Sequence, residues 1–446
     1  MLNQVALLGW PLVAVALFAW LRPKAAVLVT LLGGWMLLPM TGLIFPGLFL
    51  TKPVSISFGL VLGVVLFHPS KLTQFRPRWF DLPMFVLVVV TPLASSLLNG
   101  LGLNDGRYEL LKMLNLWGVP YLVGRLYFKT QEDLLYLSKG FFFAGLAYVP
   151  LVLFEMRFSP QLHMMVYGRH QHRFDQVMRF GMYRPMVFLQ HGLMLATWMA
   201  MATLCGYWLW MKGHLKRIGP VPMSFVVGFM LCVVVLCVST GSTLLLLIGL
   251  VLLHASSYLQ TRVLVLLLLL AVPGYMLVRG LSVWDAGEAV EVARLIDPGR
   301  ASSLGTRIQS ENLLVEHVRE RFFFGWGGHN RYRDIASGQD IVVDGAWVFY
   351  YARNGLVGLL ALIGVLLTPA AMVLWRGQRV WKSRAYAAPE ALCVVTLLFA
   401  IDCLPNAMIS PPYLLAGGAL ASVFASARTS RVQTKQTDQA PDGLTA

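Results

Sequence analysis

Long uninterrupted apolar segments dominate this sequence and restrict the folds that are open to it. Hydrophobic residues occupy 57% of the 446 positions and charged residues only 13%, whereas soluble domains carry roughly 25% charge. Many segments approach the roughly 20 residues that a helix needs to cross a bilayer. They are continuous rather than alternating, which argues against a transmembrane β-barrel. The sequence therefore predicts an all-α, polytopic membrane protein with about 12–13 transmembrane helices of this length.

Basic residues in short loops predict the orientation of these helices. Lys and Arg cluster at 22–24, 71–78, 212–217 and 376–384, and cytoplasmic loops of membrane proteins collect such residues. The same rule accounts for the net charge of +15, so no nucleic-acid partner is expected. With these loops inside, segments 155–184 and 280–344 lie outside. No charged region precedes the first apolar segment, so we expect no cleaved signal peptide.

Alternating apolar and polar stretches divide the chain into six parts. One predicted span, 25–50, is unusually long and interrupted by Gly and Pro. The parts are N-terminal membrane helices (1–154), an Arg-rich outer loop (155–184), central membrane helices (185–279), a large, partly helical outer loop (280–344), C-terminal membrane helices (345–425) and a disordered cytoplasmic tail (426–446).

Both outer loops are rich in Arg and lack Lys. The large loop carries seven Arg among ten Asp and Glu, and the 155–184 loop carries five Arg. Arg holds phosphate with a planar fork of donors and does not lose its proton. These loops therefore favour a phosphate-linked substrate. The alternative is that the Arg side chains pair with carboxylates inside a folded loop.

Two short patterns carry a resemblance to a known family. Asp344-Gly345 is followed by nine residues, Gly355, two residues and Gly358. This spacing resembles the signature of the O-antigen ligase and Wzy-type polymerase superfamily, in which ligases have His where this chain has Asp344. The loop before it is similar to that of bacterial exopolysaccharide polymerases of the superfamily, as is the entry to the central helices. The residues concerned are Arg300, Ser302-Ser303-Leu304, Arg307, Glu311, Gly325-Trp326-Gly327-Gly328 and the segment from Arg184 to Gly192.

The resemblance implies glycosyl transfer on the periplasmic face of the bacterial inner membrane. The donor would be a glycan on a polyprenyl diphosphate, and the acceptor a sugar hydroxyl of another lipid-linked unit. Membrane lipid, a chain-length regulator and export machinery would be the further partners. We expect no cofactor and no metal, because Arg can stabilise the charge that develops on the diphosphate.

Candidate residues follow from this chemistry. A carboxylate or His must accept the proton of the acceptor hydroxyl, and Arg must bind the diphosphate. The candidate catalytic residues are Asp344, Glu311 and His329. The candidate diphosphate ligands are Arg184, Arg300, Arg307 and Arg179, with His191, Arg331 and Arg333 as further possibilities.

Each candidate also has a structural interpretation. Asp344 has the position of a helix N-cap, and Glu311 has the spacing to pair with Arg307 on one helix face. His329 lies in a Gly-rich turn, where a structural hydrogen bond is equally compatible. Arg184 could extend toward lipid headgroups. His191 falls within a predicted span, where a hydrogen bond between helices is the alternative to a functional role.

Two other functions fit the same sequence. One is the transfer of finished glycan to lipid A core or protein, as a ligase performs it. The other is a flippase or transporter of the lipid-linked oligosaccharide. A transporter needs polar groups along several spans, whereas here they concentrate in outer loops, which favours the enzyme.

Overall fold

The computed structural model describes residues 2–45, 48–172, 177–179, 181–296, 298–333, 341, 343–377 and 380–426. Within these ranges the chain is almost entirely helical, with three short antiparallel hairpins. Eight of the described helices are long and apolar enough to cross a membrane. The protein is therefore an all-α polytopic membrane protein, as predicted.

The first half of the chain contains helices α1–α8 and the first two hairpins. Helix α6 is continuous but contains one turn of wider π-type winding at Leu114–Gly118. The elements are α1 Leu2–Trp20, α2 Pro23–Leu37, β1 Gly42–Phe45, β2 Leu48–Thr51, α3 Lys52–Phe67, α4 Pro69–Thr73, α5 Trp79–Leu98, α6 102–127, α7 Gln131–Phe158, α8 Leu162–Tyr167, β3 Met178–Arg179 and β4 Met182–Tyr183.

The second half contains helices α9–α17 and the third hairpin. The large outer loop supplies two of these helices, α13 and α14. The elements are α9 Gly192–Met211, β5 Arg217–Ile218, β6 Val221–Pro222, α10 Met223–Leu236, α11 Thr240–Tyr258, α12 Val263–Gly280, α13 Gly287–Ile296, α14 Pro298–Val318, α15 Ala346–Arg376, α16 Ala387–Asp402 and α17 Pro411–Ser426.

Each apolar segment predicted as a span contains a helix, but the helix in the second segment is much shorter than predicted. Helix α2 ends at Leu37, and the rest of the apolar stretch forms the β1–β2 hairpin. The prediction of one span over 25–50 is therefore wrong. Leu38 has extended backbone angles (φ −69°, ψ 152°), as expected for a residue that precedes a proline. Of the tail predicted to be disordered, 426–446, Ser426 is the last residue of α17 and residues 427–446 lie outside the described residues.

Helix α9 lies at the centre of the bundle. It packs against α7, α10, α11 and α16, and its two large side chains Trp198 and Trp208 are buried. A helix that is apolar on every face is expected in such a central position. The segment immediately before α9 is therefore held against the core of the protein.

The two ends of the bundle differ in their basic residues. At one end the short basic loops meet: His214 Nε2 lies 2.8 Å from the carbonyl oxygen of Arg384, and Arg376 donates to the carbonyl oxygens at the end of α17. The 155–191 segment and the large loop are at the other end. We call this the outer end.

A kink at Gly355 joins the large loop to α15. Gly355 has φ 66° and ψ −162°, so α15 consists of two helices that meet there, and only Gly adopts this conformation readily. The N–H groups of Leu356 and Val357 donate to Phe322 and Phe323 (2.7 and 3.1 Å). In return, the loop donates the N–H groups of residues 326 and 327 to the carbonyl oxygens of residues 352 and 353. The loop and the kink thus exchange backbone hydrogen bonds in both directions.

Candidate functional site

A cleft at the outer end brings together three candidates from distant parts of the loop. Its volume is about 280 Å³. It lies between the end of α12, helices α13 and α14, the start of α15 and residues 404–405. We call it the outer cleft. Its lining residues are Tyr275, Trp284, Ala286, Ala289, Leu304, Arg307, Ile308, Glu311, Asp344, Gly345, Leu404 and Pro405.

Arg307 and Asp344 form an ion pair at this cleft. The Nε of Arg307 lies 2.8 Å from Oδ2 of Asp344, and both side chains are about one third exposed (38% and 34%). Asp344 is not a helix cap, because the N-cap of α15 is Gly345 and no side chain caps that end. The backbone of Gly345 packs directly against the carbonyl oxygen of Leu404. This contact leaves the Asp344 side chain on the cleft side of the turn.

Glu311 lines the same cleft one helical turn beyond Arg307. Its predicted pairing with Arg307 is wrong: Oε2 of Glu311 is instead 3.1 Å from Nη2 of Arg279. Burial raises the pKa of Glu311, although Arg279 acts in the opposite direction. A buried carboxylate with a raised pKa is a stronger base than a free one. The cleft therefore holds two carboxylates in different environments.

Arg279 was not among the sequence candidates. It ends the apolar helix α12 and is almost fully buried. It also donates to the carbonyl oxygen of Trp284 and to Asn312 Oδ1, both at 2.8 Å. A single Arg in the last turn of an apolar helix was the available signal, but such residues usually mark only a membrane boundary. Here Arg279 fixes Glu311 and the start of the large loop.

Arg184 is buried near this end and few of its donors are used. Only 2% of the residue is exposed. Its Nη2 donates to Ser239 Oγ at 3.3 Å, while Nε and Nη1 have no acceptor and no carboxylate pairs with it in the described part of the chain. Burial, and then the charge of Arg179, lowers the pKa of Arg184 to about 10. Arg184 therefore remains a cation at neutral pH with donors available for an anion.

His191 is the N-cap of α9. The prediction that it lies within a span is therefore wrong. Its Nδ1 accepts the N–H of Leu193 at 3.0 Å. Burial lowers the pKa of His191 to about 3, and the positive charges of Arg184 and Arg307 act in the same direction. His191 is therefore neutral at physiological pH. Positive charge from both the 155–184 loop and the large loop therefore acts on His191.

The remaining candidates are not among the residues that line the outer cleft. His329 Nε2 lies 2.6 Å from Asp105 Oδ1, beside the 99–102 turn. Arg331 donates to the carbonyl oxygens of Trp326 and Asn99 and so holds the Gly-rich turn. Arg333 is exposed, with its guanidinium over the ring of Tyr332.

Arg179 and Arg300, two further candidate diphosphate ligands, are not among the residues that line the outer cleft. Arg179 is exposed on β3 and contributes to the field at His191. Arg300 lies in α14, and its side chain is outside the described part of the structure. Thus the structure brings Arg307, Glu311 and Asp344 together, and positive charge from Arg184, Arg179 and Arg307 acts on His191.

Fold and site together define a polytopic membrane protein whose outer cleft contains one Arg and two carboxylates. No protein-family model matches the chain, and a comparison with curated proteins gives no match. The function is therefore inferred from the chemistry of the site.

Proposed function

We propose that this protein is a glycosyltransferase of the bacterial inner membrane that polymerises oligosaccharide units carried on a polyprenyl diphosphate. The outer cleft would face the periplasm. The observation that carries the proposal is the Arg307–Asp344 pair in a cleft that also contains Glu311. A phosphate ligand and a general base are thereby available within one small volume.

The reaction forms one bond and breaks another at the anomeric carbon of the donor. The acceptor hydroxyl oxygen attacks this carbon, its proton passes to a carboxylate, and the bond to the diphosphate oxygen breaks. The diphosphate leaves with the bonding electron pair and gains one negative charge. Fixed guanidinium groups stabilise such developing charge best where water is scarce. Arg307, which lines the cleft, and the buried Arg184 would supply this stabilisation.

The ion pair suggests how the base becomes active. In the structure the Asp344 carboxylate is engaged by the guanidinium of Arg307. A diphosphate that binds Arg307 competes with Asp344 for the guanidinium donors. Donor binding would then release Asp344 to accept the proton of the acceptor hydroxyl. Glu311, which keeps its contact with Arg279, is the second candidate for this role.

Reconstitution of the purified protein with a lipid-linked repeat unit tests the proposal. We expect products with many repeat units and release of the polyprenyl diphosphate. Arg307→Lys keeps the charge but loses the fork, and should lower the rate about 10- to 100-fold, corresponding to the loss of a hydrogen bond between charged groups. Transfer of unlengthened glycan to another acceptor would indicate a ligase instead. Movement of the lipid across the bilayer without new glycosidic bonds would indicate a flippase.

A further inference from the structure

A second cavity lies beside the outer cleft and contains basic residues that the proposed reaction does not use. Its volume is about 470 Å³. Lys52, Lys112 and Arg353 line it together with Gln190. The rest of the wall is mainly apolar and includes Trp35, Ile56, Met113, Leu189, Met194 and Tyr350. A charged group beside an apolar wall is the chemistry that binds an amphiphile.

Lys52 is the most unusual residue of this cavity. Only 3% of it is exposed, and its Nζ donates to the carbonyl oxygen of Phe188 at 2.8 Å. Within the described residues no carboxylate pairs with it. A buried charge without a counter-ion is expensive, and burial lowers the pKa of Lys52 to about 7, so its charged form needs a compensating partner. An anionic ligand in the cavity would provide that compensation.

The other charges leave the cavity electropositive. Arg353 is paired with Glu109, and Lys112 lies 3.9 Å from the same carboxylate. Arg353 and Lys112 therefore share one carboxylate, and Lys52 adds a third cation that has none among the residues that the structure describes. In addition, α3 begins at Lys52 and α17 begins at Pro411, and both residues line the cavity. Helix N-termini favour anions.

The second cavity and the outer cleft share two segments of the chain. Residues 344–345 line the cleft, while Phe349 and Arg353 of the following helix line the second cavity. Likewise, Leu404 and Pro405 line the outer cleft, and residues 407, 409 and 411 line the second cavity. Gly345 and Arg353 are eight residues apart, which corresponds to roughly 12 Å along a helix. Two phosphate groups bound at the two places would thus be separated by a short distance that a few sugars can bridge.

We propose that the second cavity binds the diphosphate head of a second polyprenyl-linked molecule, whose chain lies along the apolar wall. Its assignment as the acceptor rests on the proposed function, because a polymerase needs two lipid-linked substrates at once. The binding itself does not depend on turnover. Lys52 supplies the buried charge, and Lys112 lies at the more exposed side of the cavity.

Equilibrium binding of labelled farnesyl diphosphate to the full-length protein in detergent tests this proposal. We expect two molecules per wild-type chain. Lys52→Met should lose one of these two molecules, because its affinity at that site falls at least tenfold. The thermal stability of this variant should equal or exceed that of the wild type, because an uncompensated charge is removed. Lys139→Met is the matched control, since Lys139 lines an apolar groove elsewhere in the protein. Two molecules bound to Lys52→Met with wild-type affinity would overturn the proposal.

Competition identifies the source of the phosphate. Farnesyl diphosphate should be displaced by excess undecaprenyl diphosphate and only weakly by inorganic diphosphate, because the latter lacks the apolar chain. Equal displacement by phosphatidylglycerol vesicles would show a general anionic-lipid site and contradict the acceptor assignment. In the reconstituted reaction, Lys52→Met should raise the KM of the acceptor and leave donor binding unchanged. The two proposals can fail separately. If Lys52→Met loses one bound molecule but the wild type makes no polymer, the proposed function is refuted and the binding site is retained.

Discussion

The carboxylate of Glu155 accepts the backbone N–H of Val187 at 2.7 Å. It also accepts the N–H groups of Met186 (2.8 Å) and Leu162 (3.0 Å). Glu155 is fully buried near the end of α7, so it fixes the segment that follows Arg184 and precedes α9. Glu155 thereby holds the backbone that follows the buried Arg184.

Glu155→Gln should damage the site through this segment. The amide retains one acceptor oxygen and places an NH2 group against backbone N–H donors, so at least one donor becomes unsatisfied. We expect a loss of about 1–3 kcal/mol in unfolding free energy and weaker donor binding. Denaturation in detergent and diphosphate affinity measure the two effects. Glu132→Gln, an exposed residue on the same helix, should change neither. Wild-type stability and affinity in Glu155→Gln would contradict this role.

Gly355→Ala should destabilise the contact between the large loop and α15. Its φ of 66° and ψ of −162° lie in a region that other residues adopt at a penalty of about 1–3 kcal/mol, and a Cβ there would overlap the backbone of Phe323. The midpoint of thermal unfolding should fall. Gly228→Ala, where a Cβ meets open space within α10, is the control. An equal midpoint for both variants would show that the kink can relax without penalty.

Sequence patterns predicted the helices better than the partners of individual residues. Hydropathy reports which segments are apolar, and each segment predicted as a span contains a helix. It could not separate α2 from the hairpin that follows, because both are equally apolar. The pairing of Glu311 with Arg279 crosses 32 positions in the chain, whereas helical spacing considers only neighbours such as Arg307. Asp105, the partner of His329, is 224 positions away.

Part of the candidate site could be predicted from the residue types in the large loop. Arg307, Glu311 and Asp344 line one cleft, while the anionic substrate suggested by the Arg-rich loops stays a prediction. The buried environment of Lys52 was not predictable, because the sequence shows only a Lys before a Pro at the start of an apolar segment. Its burial depends on contacts with distant segments such as Phe188.

Acid should destabilise the outer end of the protein through His163. Its Nε2 accepts the N–H of Met40 at 3.0 Å, and its Nδ1 lies 2.6 Å from the carbonyl oxygen of Arg169, to which it donates. Burial lowers the pKa of His163; the hydrogen bond to Arg169 acts in the opposite direction, and the charges of Lys52, Arg169 and His170 lower the pKa further. The folded state therefore binds the proton less readily than the unfolded chain.

The sign of the pH effect follows from this lowered pKa. The contribution of neutral His163 is fully present above the unfolded pKa of roughly 6.5 and is lost as pH falls through the folded value. We expect the unfolding midpoint to fall between pH 7.5 and 5.5 by about 1–2 °C more in the wild type than in His163→Gln. Identical pH dependence in both proteins would exclude His163 as the cause.

Both Arg-rich loops should be accessible from the periplasm. Arg307 of the large loop contributes to the field at His191, which follows the 155–184 loop, so the two loops are expected on the same side. Cys232 is the exposed native cysteine and is first replaced by Ser. Single cysteines at Ser159 and Ser302 should then react with an impermeant reagent in spheroplasts, and one at Ser70 should react only after lysis. If both outer positions are protected from the reagent in spheroplasts, the predicted orientation is wrong.

Asp344→Asn separates binding of the donor from catalysis. Asn has nearly the size of Asp but no negative charge, so it cannot form the ion pair with Arg307 or accept a proton at neutral pH. If Asp344 competes with the diphosphate for Arg307, its loss should strengthen donor binding. We expect donor affinity equal to or several-fold above that of the wild type, and a rate of polymerisation at least about 100-fold lower, as general-base catalysis contributes about 10²–10⁴-fold.

Comparison with Asp344→Ala identifies a purely structural role. Since Gly345, not Asp344, is the N-cap of α15, both variants should fold with a midpoint close to that of the wild type. Donor affinity by equilibrium binding and polymer yield per folded protein are the two measurements. An Asn variant that polymerises at the wild-type rate would remove Asp344 from the reaction. Glu311→Gln is then the next variant to test, because Glu311 is the other carboxylate of the cleft and burial raises its pKa.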